Sequence, residues 1–514
     1  MVKIALKIKN WIKGNPKEFI ILLVILLFGA FLRLYKIDQY LTFLGDEGRD
    51  AIIVRKLLVY GDPILIGPGT SIGNMYLGPL YYYLMAPALL IANFSPVGPA
   101  VQIALLSVIT IGFIYLIAKD WFGWRAAIIA SVLYAIAPTV IVYSRSSWNP
   151  NIMPFFALLS IFSIWKVWKE HTYNWLIILG ISLAFCMQSH YLGLLLFPTI
   201  GLFWLLTFLK ERKVKKTKPL IKKTIIGVVI FLFLMSPLAI FDARHGWNNF
   251  GAMKKFFTVR QETVSIKPWK AIPNSLPISE KIMMRLVGAN QANTGPYILG
   301  AMVALSVWFL VLKRKDLPLK TKHGFYVLLV WLGVAILGLG LYKQEIYDHY
   351  YGFFFPAPFL LIGGLGQLLL ENKKRIIPTL TIIALVLLVY VNLKVDPLLK
   401  APNQQLRRAR EVAQKIKEEA NGERFNLAVL AERNYEDGYQ YFLERWNEKV
   451  VDINALKADE TITQQLFVVC ELPKEKCDPT HSPKAEVANF GWSKIENEWE
   501  VFGARLYKLV HTQP

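Results

Sequence analysis

Apolar stretches long enough to cross a bilayer recur along most of this chain, and no other feature limits its fold so strongly. A helix rises about 1.5 Å per residue, so roughly 17 to 25 apolar residues are needed to traverse a hydrocarbon core. Such runs lie at Phe19–Leu34, Pro99–Ala118, Ala126–Tyr143, Asn151–Trp168, Trp175–Ser189, Tyr191–Leu209, Thr224–Phe241, Pro296–Leu312, Phe325–Leu341, Phe353–Leu370 and Ile376–Leu393. Inside lipid each backbone N–H and C=O must find a partner within its own segment, so the runs predict helices. The expected fold is mainly α: a polytopic membrane protein of about eleven transmembrane helices.

Charge then orients the path, because Lys and Arg in short loops mark the cytoplasmic side. Clusters stand at Lys7, Lys9, Lys13 and Lys17, at Lys119 and Arg125, at Lys166 and Lys169, at Lys210–Lys223, at Lys313–Lys322 and at Lys373–Arg375. Two spans separate each later cluster from the next. A shorter run, Gly78–Ile91, holds Pro79 and Pro87. Counting it as a crossing puts Lys119 and Arg125 outside, whereas omitting it keeps them inside. Residues 36–97 are therefore expected to form a long first extracytoplasmic loop with interfacial helices near Glu47–Tyr60 and Tyr76–Ile91; a twelfth crossing is the alternative. A second large external loop covers 242–295. The last span exits outward, so residues 1–395 form the transmembrane domain and 396–514 a small extracytoplasmic α/β domain. In the latter, Gln404–Ala420 has a helical amphipathic pattern, while Asn426–Leu430 and Gln465–Cys470 resemble buried strands.

Composition excludes a wholly soluble chain: 54% of the 514 residues are hydrophobic and 18% charged, against about 25% charged in soluble domains. The excess of 58 basic over 36 acidic residues fits a membrane-facing bias, and no nucleic-acid partner is expected. The absence of a visible repeat argues against a solenoid. Three cysteines cannot build a disulfide scaffold or a four-ligand zinc site. Cys470 and Cys477 are a candidate disulfide, and Cys186, within a span, reads as a packing residue. The first apolar run is long enough to stay in the membrane and lacks a small-residue cleavage pattern, so no cleavable signal peptide is expected.

In this topology the unusual polar residues converge on the outer face. Phe43-Leu44-Gly45-Asp46-Glu47-Gly48-Arg49-Asp50 follows the first span; its carboxylates are either solvated loop groups or a base for an acceptor hydroxyl, with basicity raised by neighbouring charge and desolvation. Gly73–Tyr83 is a turn opening onto aromatics, of which Tyr82 is a candidate substrate contact and otherwise an interfacial anchor. Arg145, in the turn Tyr143–Asn151, either faces the polar cavity or is paired at a helix end. His190, between Gln188 and Tyr191, is a structural histidine or a cavity residue. Arg244 and His245 open the second large loop and could grip phosphate oxygens; an Asp242–Arg244 ion pair is the competing reading. His349 and Tyr350, beside Asp348, are assigned to the lipid-phosphate end of the cavity.

The Asp46-Glu47 pair after the first span, the surface helix and the Pro79-Leu80-Tyr81-Tyr82 opening, in that order, resemble the first loop of the C-type (GT-C fold) membrane glycosyltransferases. Among these the resemblance is notably to the protein O-mannosyltransferase family (glycosyltransferase family 39) and the lipid A aminoarabinose transferases. The resemblance extends over roughly residues 1–395. It implies a loop aspartate as catalytic base, at the position of Asp46, and an active-site place for the Arg244-His245-Gly246 segment. The aminoarabinose transferases carry a metal-binding Glu in a Glu-Lys-Pro-Pro-Leu stretch where this chain has Tyr76-Leu77-Gly78-Pro79-Leu80. That departure puts a bound metal in doubt; no cofactor is expected, and a divalent metal is the alternative.

The function so indicated is an inverting glycosyltransferase of the plasma membrane that takes a sugar, hexose or pentose, from a polyprenyl-phosphate donor to a protein, lipid or glycan acceptor at the outer face. An O-antigen ligase or polymerase-like transferase is the near alternative, although such enzymes place their catalytic loop late in the chain. A transporter would call for internal repeats and broken helices at the midplane.

Overall fold

The computed structural model describes residues 10–70, 75–258, 263–265 and 267–512. Lys7, Lys9, Gly73 and Asn74 lie outside the described residues. All eleven apolar runs are helical. Among the described helices, seven are long and apolar enough to cross a membrane, or eight if a bent pair counts as one span. Pro16–Leu34 falls outside this set because Lys17, Glu18 and Arg33 charge it, and Trp124–Ile136 and Trp175–Ser189 because they have only 13 and 15 residues. The count of eleven crossings thus remains an expectation.

Prolines decide where the spans break. The run Ala126–Tyr143 divides into helices Trp124–Ile136 and Pro138–Tyr143 around an extended Ala137, since Pro138 offers no N–H and disfavours α geometry in the residue before it. Phe353–Leu370 divides likewise into a 3₁₀ turn, Asp348–Phe354, and helix Pro356–Leu370, bent by 58°. The Gly78–Ile91 run forms only a 12-residue helix, Leu80–Ile91. At about 18 Å it is too short to cross a core of about 30 Å. It packs instead against helix Gly45–Tyr60.

The C-terminal domain is a four-stranded sheet of order β1-β2-β4-β3, with β1 (Asn426–Leu430), β2 (Gln465–Cys470), β3 (Ser493–Val501) and β4 (Ala504–His511). β1 and β2 run parallel and are wholly buried, whereas β4 is antiparallel to both β2 and β3. Helix Gln405–Ala420 turns Ala409, Val412, Ala413, Ile416 and Ala420 inward, a helical-period stripe. The β3–β4 hairpin, which the sequence reading did not place, turns at Phe502-Gly503, both with positive φ, as a two-residue hairpin turn needs. Cys470 and Cys477 are joined in a disulfide, and Cys186 is a buried free thiol.

This domain is docked onto the helix that follows the first span. Helix Asp437–Arg445 lies against Gly45–Tyr60, and a Cβ built on Gly48 would collide with the backbone of Asp437 and Gly438. Tyr441 donates to the carbonyl of Phe94 (2.5 Å), Arg445 to that of Asn93 (3.0 Å), and the Phe43 N–H donates to Gln405 (3.1 Å). Replacing Gly48 by Ala should therefore force the helices apart at a cost of about 1–3 kcal/mol. Limited proteolysis should then cleave Gly48→Ala faster in the segment around residues 396–404 than the parent; equal rates would show that the interface yields without loss.

Candidate functional site at the docked end of the bundle

Three carboxylates begin helix Gly45–Tyr60, and their surroundings differ. Glu47 Oε2 accepts the Leu44 N–H at 3.0 Å, which satisfies one of the free donors of the helix start. Its side chain is buried, and desolvation, aided by Asp46 and Asp50, pushes its pKa up to about 7. Asp50 is fully buried; its Oδ1 accepts from Arg49 Nη2 (2.7 Å) and Tyr82 Oη (3.0 Å), and Oδ2 has no partner. Burial outweighs Arg49 and raises its pKa to about 6. Asp46 alone reaches solvent, with 41% of its side chain exposed. Its Oδ1 accepts from Arg49 Nη1 (2.8 Å) and from the hydroxyl of Tyr435 in the C-terminal domain.

The other polar turns gather around this helix. Tyr81 and Ser147 share a hydrogen bond of 2.5 Å, and the Thr42 N–H donates to Ser146, so the turn Tyr143–Asn151 is fastened to the first loop. Asn149 donates to the Ser189 carbonyl at 2.6 Å. Next to it the rings of His190 and His349 meet at 5.9 Å; Tyr350 lies 4.8 Å from His190, and Trp148 4.6 Å from His349. His190, His349 and Tyr350 thus form one aromatic cluster, drawn from two segments about 160 residues apart. Tyr82 belongs to the carboxylate cluster through Asp50.

Arg145 spreads its fork over the carbonyls of Leu32 and Tyr35, both at 2.7 Å. It caps the first helix, where a cation suits the helix C-terminus. It also lines a cavity of about 640 Å³ with Tyr143, Arg285, Asp348, Asp396 and Lys400. There Arg285 grips Asp348 through both carboxylate oxygens, one at 2.6 Å, so Asp348 is held in an ion pair that the sequence did not reveal.

The second loop reaches the first through Tyr76. Asn249 accepts its N–H at 2.8 Å, and the hydroxyl of Tyr191 donates to its carbonyl. Asp242 accepts the N–H groups of Asn249 and Phe250 at 2.7 and 2.8 Å, and therefore caps helix Asn248–Thr258 instead of pairing with Arg244. Among the described residues the exposed Arg244 has no ion pair or side-chain hydrogen bond. His245 stacks on Phe241 at 4.0 Å between centroids, with Nδ1 2.7 Å from the Phe241 carbonyl.

Sequence reasoning passed over Arg49, Asp50, Arg285 and Tyr435 as site residues. The first two stand in the quoted motif, and their pairing follows from helical spacing; Tyr435 lies 389 residues from Asp46 with no local signal. Among the described residues no group of three or more His, Cys, Asp or Glu could hold a metal ion, and between Asp46 and Asp50 the positive charge is supplied by Arg49.

Residues 77–241 match the family model of dolichyl-phosphate-mannose-protein mannosyltransferases. The chain superposes on ArnT from Cupriavidus metallidurans bound to undecaprenyl phosphate, at 12% identity and a TM-score of 0.59, covering 96% of this chain and 98% of that one. It also superposes on the oligosaccharyltransferase AglB of Archaeoglobus fulgidus in complex with an inhibitory peptide and a dolichol-phosphate, at 12% identity and a TM-score of 0.53, covering 89% and 70%. The fold is that of the C-type glycosyltransferases. No curated protein sequence matches this chain. As a GT-C fold, the chain is a multi-pass membrane protein whose first loop and C-terminal domain meet at one end of the helices.

The buried carboxylates set a pH response. A carboxyl whose folded pKa lies above its unfolded value binds more protons folded than unfolded, so stability falls as pH rises through that window, about 4 to 7 for Glu47, and is flat above it. Acidifying the protein from pH 7.5 to 5 should raise its melting temperature, and Glu47→Gln, which keeps an acceptor for Leu44 N–H and removes the titration, should flatten part of that rise. An unchanged slope would assign the response to other groups, such as Asp437, which burial also raises to about 7.

Proposed function

We propose that this chain is an inverting glycosyltransferase that moves one sugar from a polyprenyl-phosphate donor to an acceptor hydroxyl, with Asp46 as the base. The observation that carries this reading is the division of labour among the three carboxylates: Glu47 caps its helix, Asp50 is buried, and Asp46 stands half-open at the docked end. The fold and the family match of 77–241 support a polyprenyl-phosphate donor as the substrate class. A polyprenyl tail explains the need for spanning helices, since it lies in the bilayer while its phosphate meets polar groups at the helix ends.

Asp46 takes the proton as the acceptor oxygen bonds to the anomeric carbon. The bond from that carbon to the phosphate oxygen breaks on the far side, and the lipid phosphate leaves with the electron pair. Attack opposite the leaving group inverts the anomeric centre. Growing negative charge on the phosphate needs cations. Arg244, free of carboxylates, and His245 serve there, while Arg145, His190, His349, Tyr350 and Tyr82 line the polar region between the turns. The acceptor is a protein, lipid or glycan, the membrane is the plasma membrane, and the docked end with its C-terminal domain faces outward.

Purified protein supplied with polyprenyl-phosphate mannose, glucose, arabinose and aminoarabinose should hydrolyse or transfer one of them. Asp46→Asn should slow that reaction by about 100-fold to 10,000-fold while still binding donor; near-parent turnover would move the base elsewhere. Arg244→Lys should weaken donor binding and slow single turnover as well, because a point charge cannot reproduce a two-bond fork. Parent values in both measurements would remove Arg244 from the donor site.

A further inference from the structure

The candidate base is held from two domains. Asp46 Oδ1 takes both Arg49, from its own helix, and the hydroxyl of Tyr435, from the C-terminal domain; Arg49 Nη1 also lies 3.3 Å from that hydroxyl. Among the described residues nothing hydrogen-bonds to Oδ2. Tyr435 is itself fixed. The side-chain oxygen of Asn434 accepts the N–H groups of both Gly45 and Tyr435 at 2.9 Å, and its amide donates to Glu471 at 2.6 Å, which also accepts Tyr439 at 2.6 Å. The Tyr435 ring covers Gly45 so closely that a Cβ there would strike it.

We propose that Tyr435 is a positioning residue for the Asp46 base: with Arg49 it pins Oδ1, so that Oδ2 is presented to the acceptor hydroxyl and the C-terminal domain completes the active site. This rests on the reading of Asp46 as the base. A phenol hydrogen bond stabilises the ionised carboxylate over its protonated form, and burial beside Asp46 keeps the phenol itself protonated, well above its ordinary range. The groups around Asp46 are Glu47, Arg49 and Asp50 on its own helix and Tyr435 on the C-terminal domain; Tyr82 on the next helix lies against Asp50, and Asp437 acts on Arg49. Among the described residues only Arg49 and Tyr435 donate to it.

Tyr435→Phe keeps the ring over Gly45 and removes the donor. Assayed in the full chain with whichever of the polyprenyl-phosphate sugars named above the parent turns over, it should lower kcat about tenfold with donor KM unchanged. The acidic limb of the rate profile should move upward by about one pH unit, because the carboxylate that has lost a donor protonates more readily. A purely structural contact would change melting temperature and leave the limb in place. Should Tyr435→Phe not be recovered folded, Asn434→Ala, which unties the same loop but keeps the phenol, is read the same way: an upward limb supports the proposal and an unmoved one overturns it. Asp46→Asn separates the two levels. If it is inactive while Tyr435→Phe matches the parent in kcat and in pH profile, Tyr435 is a docking contact and only this proposal fails; if Asp46→Asn is active, both readings fall together.

Discussion

The close contact between helix Gly45–Tyr60 and helix Asp437–Arg445 is the constraint on which the polar end of the molecule depends. It is possible because Gly48 carries no side chain where the Asp437 backbone passes and Gly45 none where the Tyr435 ring lies. Without that approach the sheet domain would be held mainly by residues 395–404 and by helix Gln405–Ala420 against the segment after the first span. With it, Asp46 acquires a partner from another domain, and the first loop, which has no sheet or span of its own, acquires a rigid support.

Burial then separates residues that are chemically alike. Asp46, Glu47 and Asp50 fall within five positions, yet one caps a helix, one is sealed against Arg49 and Tyr82, and one remains open. Burial holds the Glu47 and Asp50 carboxyls above their ordinary range, whereas Asp46 stays open to solvent, so the three are told apart by the helix start and the docked domain. Arg49 matters as much as either aspartate, because its guanidinium bridges them and sets one positive charge between the two carboxylates.

Much of this was legible in the sequence, and the limits of legibility are physical. The spans were readable because a bilayer demands long apolar segments, and β1 and β2 because strands buried on both faces are continuous apolar runs. The β3–β4 hairpin escaped because β3, Ser493–Val501, is largely exposed, its alternation is interrupted by a bulge at Ile495/Asn497, and Phe-Gly replaces the usual turn residues. At the site, one-segment features such as Asp46 with Glu47 were visible. Arg145 stands out in the sequence as an unusual charge, but sequence does not tell a cavity cation from a helix cap, since the carbonyls of Leu32 and Tyr35 lie 110 or more residues away. The Asp242–Arg244 pair, plausible at that spacing, does not form because the N–H groups of Asn249 and Phe250 bind the carboxylate first.

That last displacement bears on the chemistry. A backbone cap and an ion pair compete for the same two oxygens, and at a loop that must turn sharply into helix Asn248–Thr258 the cap satisfies donors that have no other partner. Arg244 is left exposed beside a histidine whose ring is fixed on Phe241. Asn249, on the loop bearing both, accepts the N–H of Tyr76 in the first loop, and the carbonyl of Tyr76 takes the hydroxyl of Tyr191 from a third segment. The proposed base is therefore held at a domain contact, while the cation proposed for the departing phosphate sits on a separate loop. Such an arrangement suits a reaction in which the attacking group must be aimed before a bulky lipid carrier enters, and the group that grips the carrier must yield when it leaves.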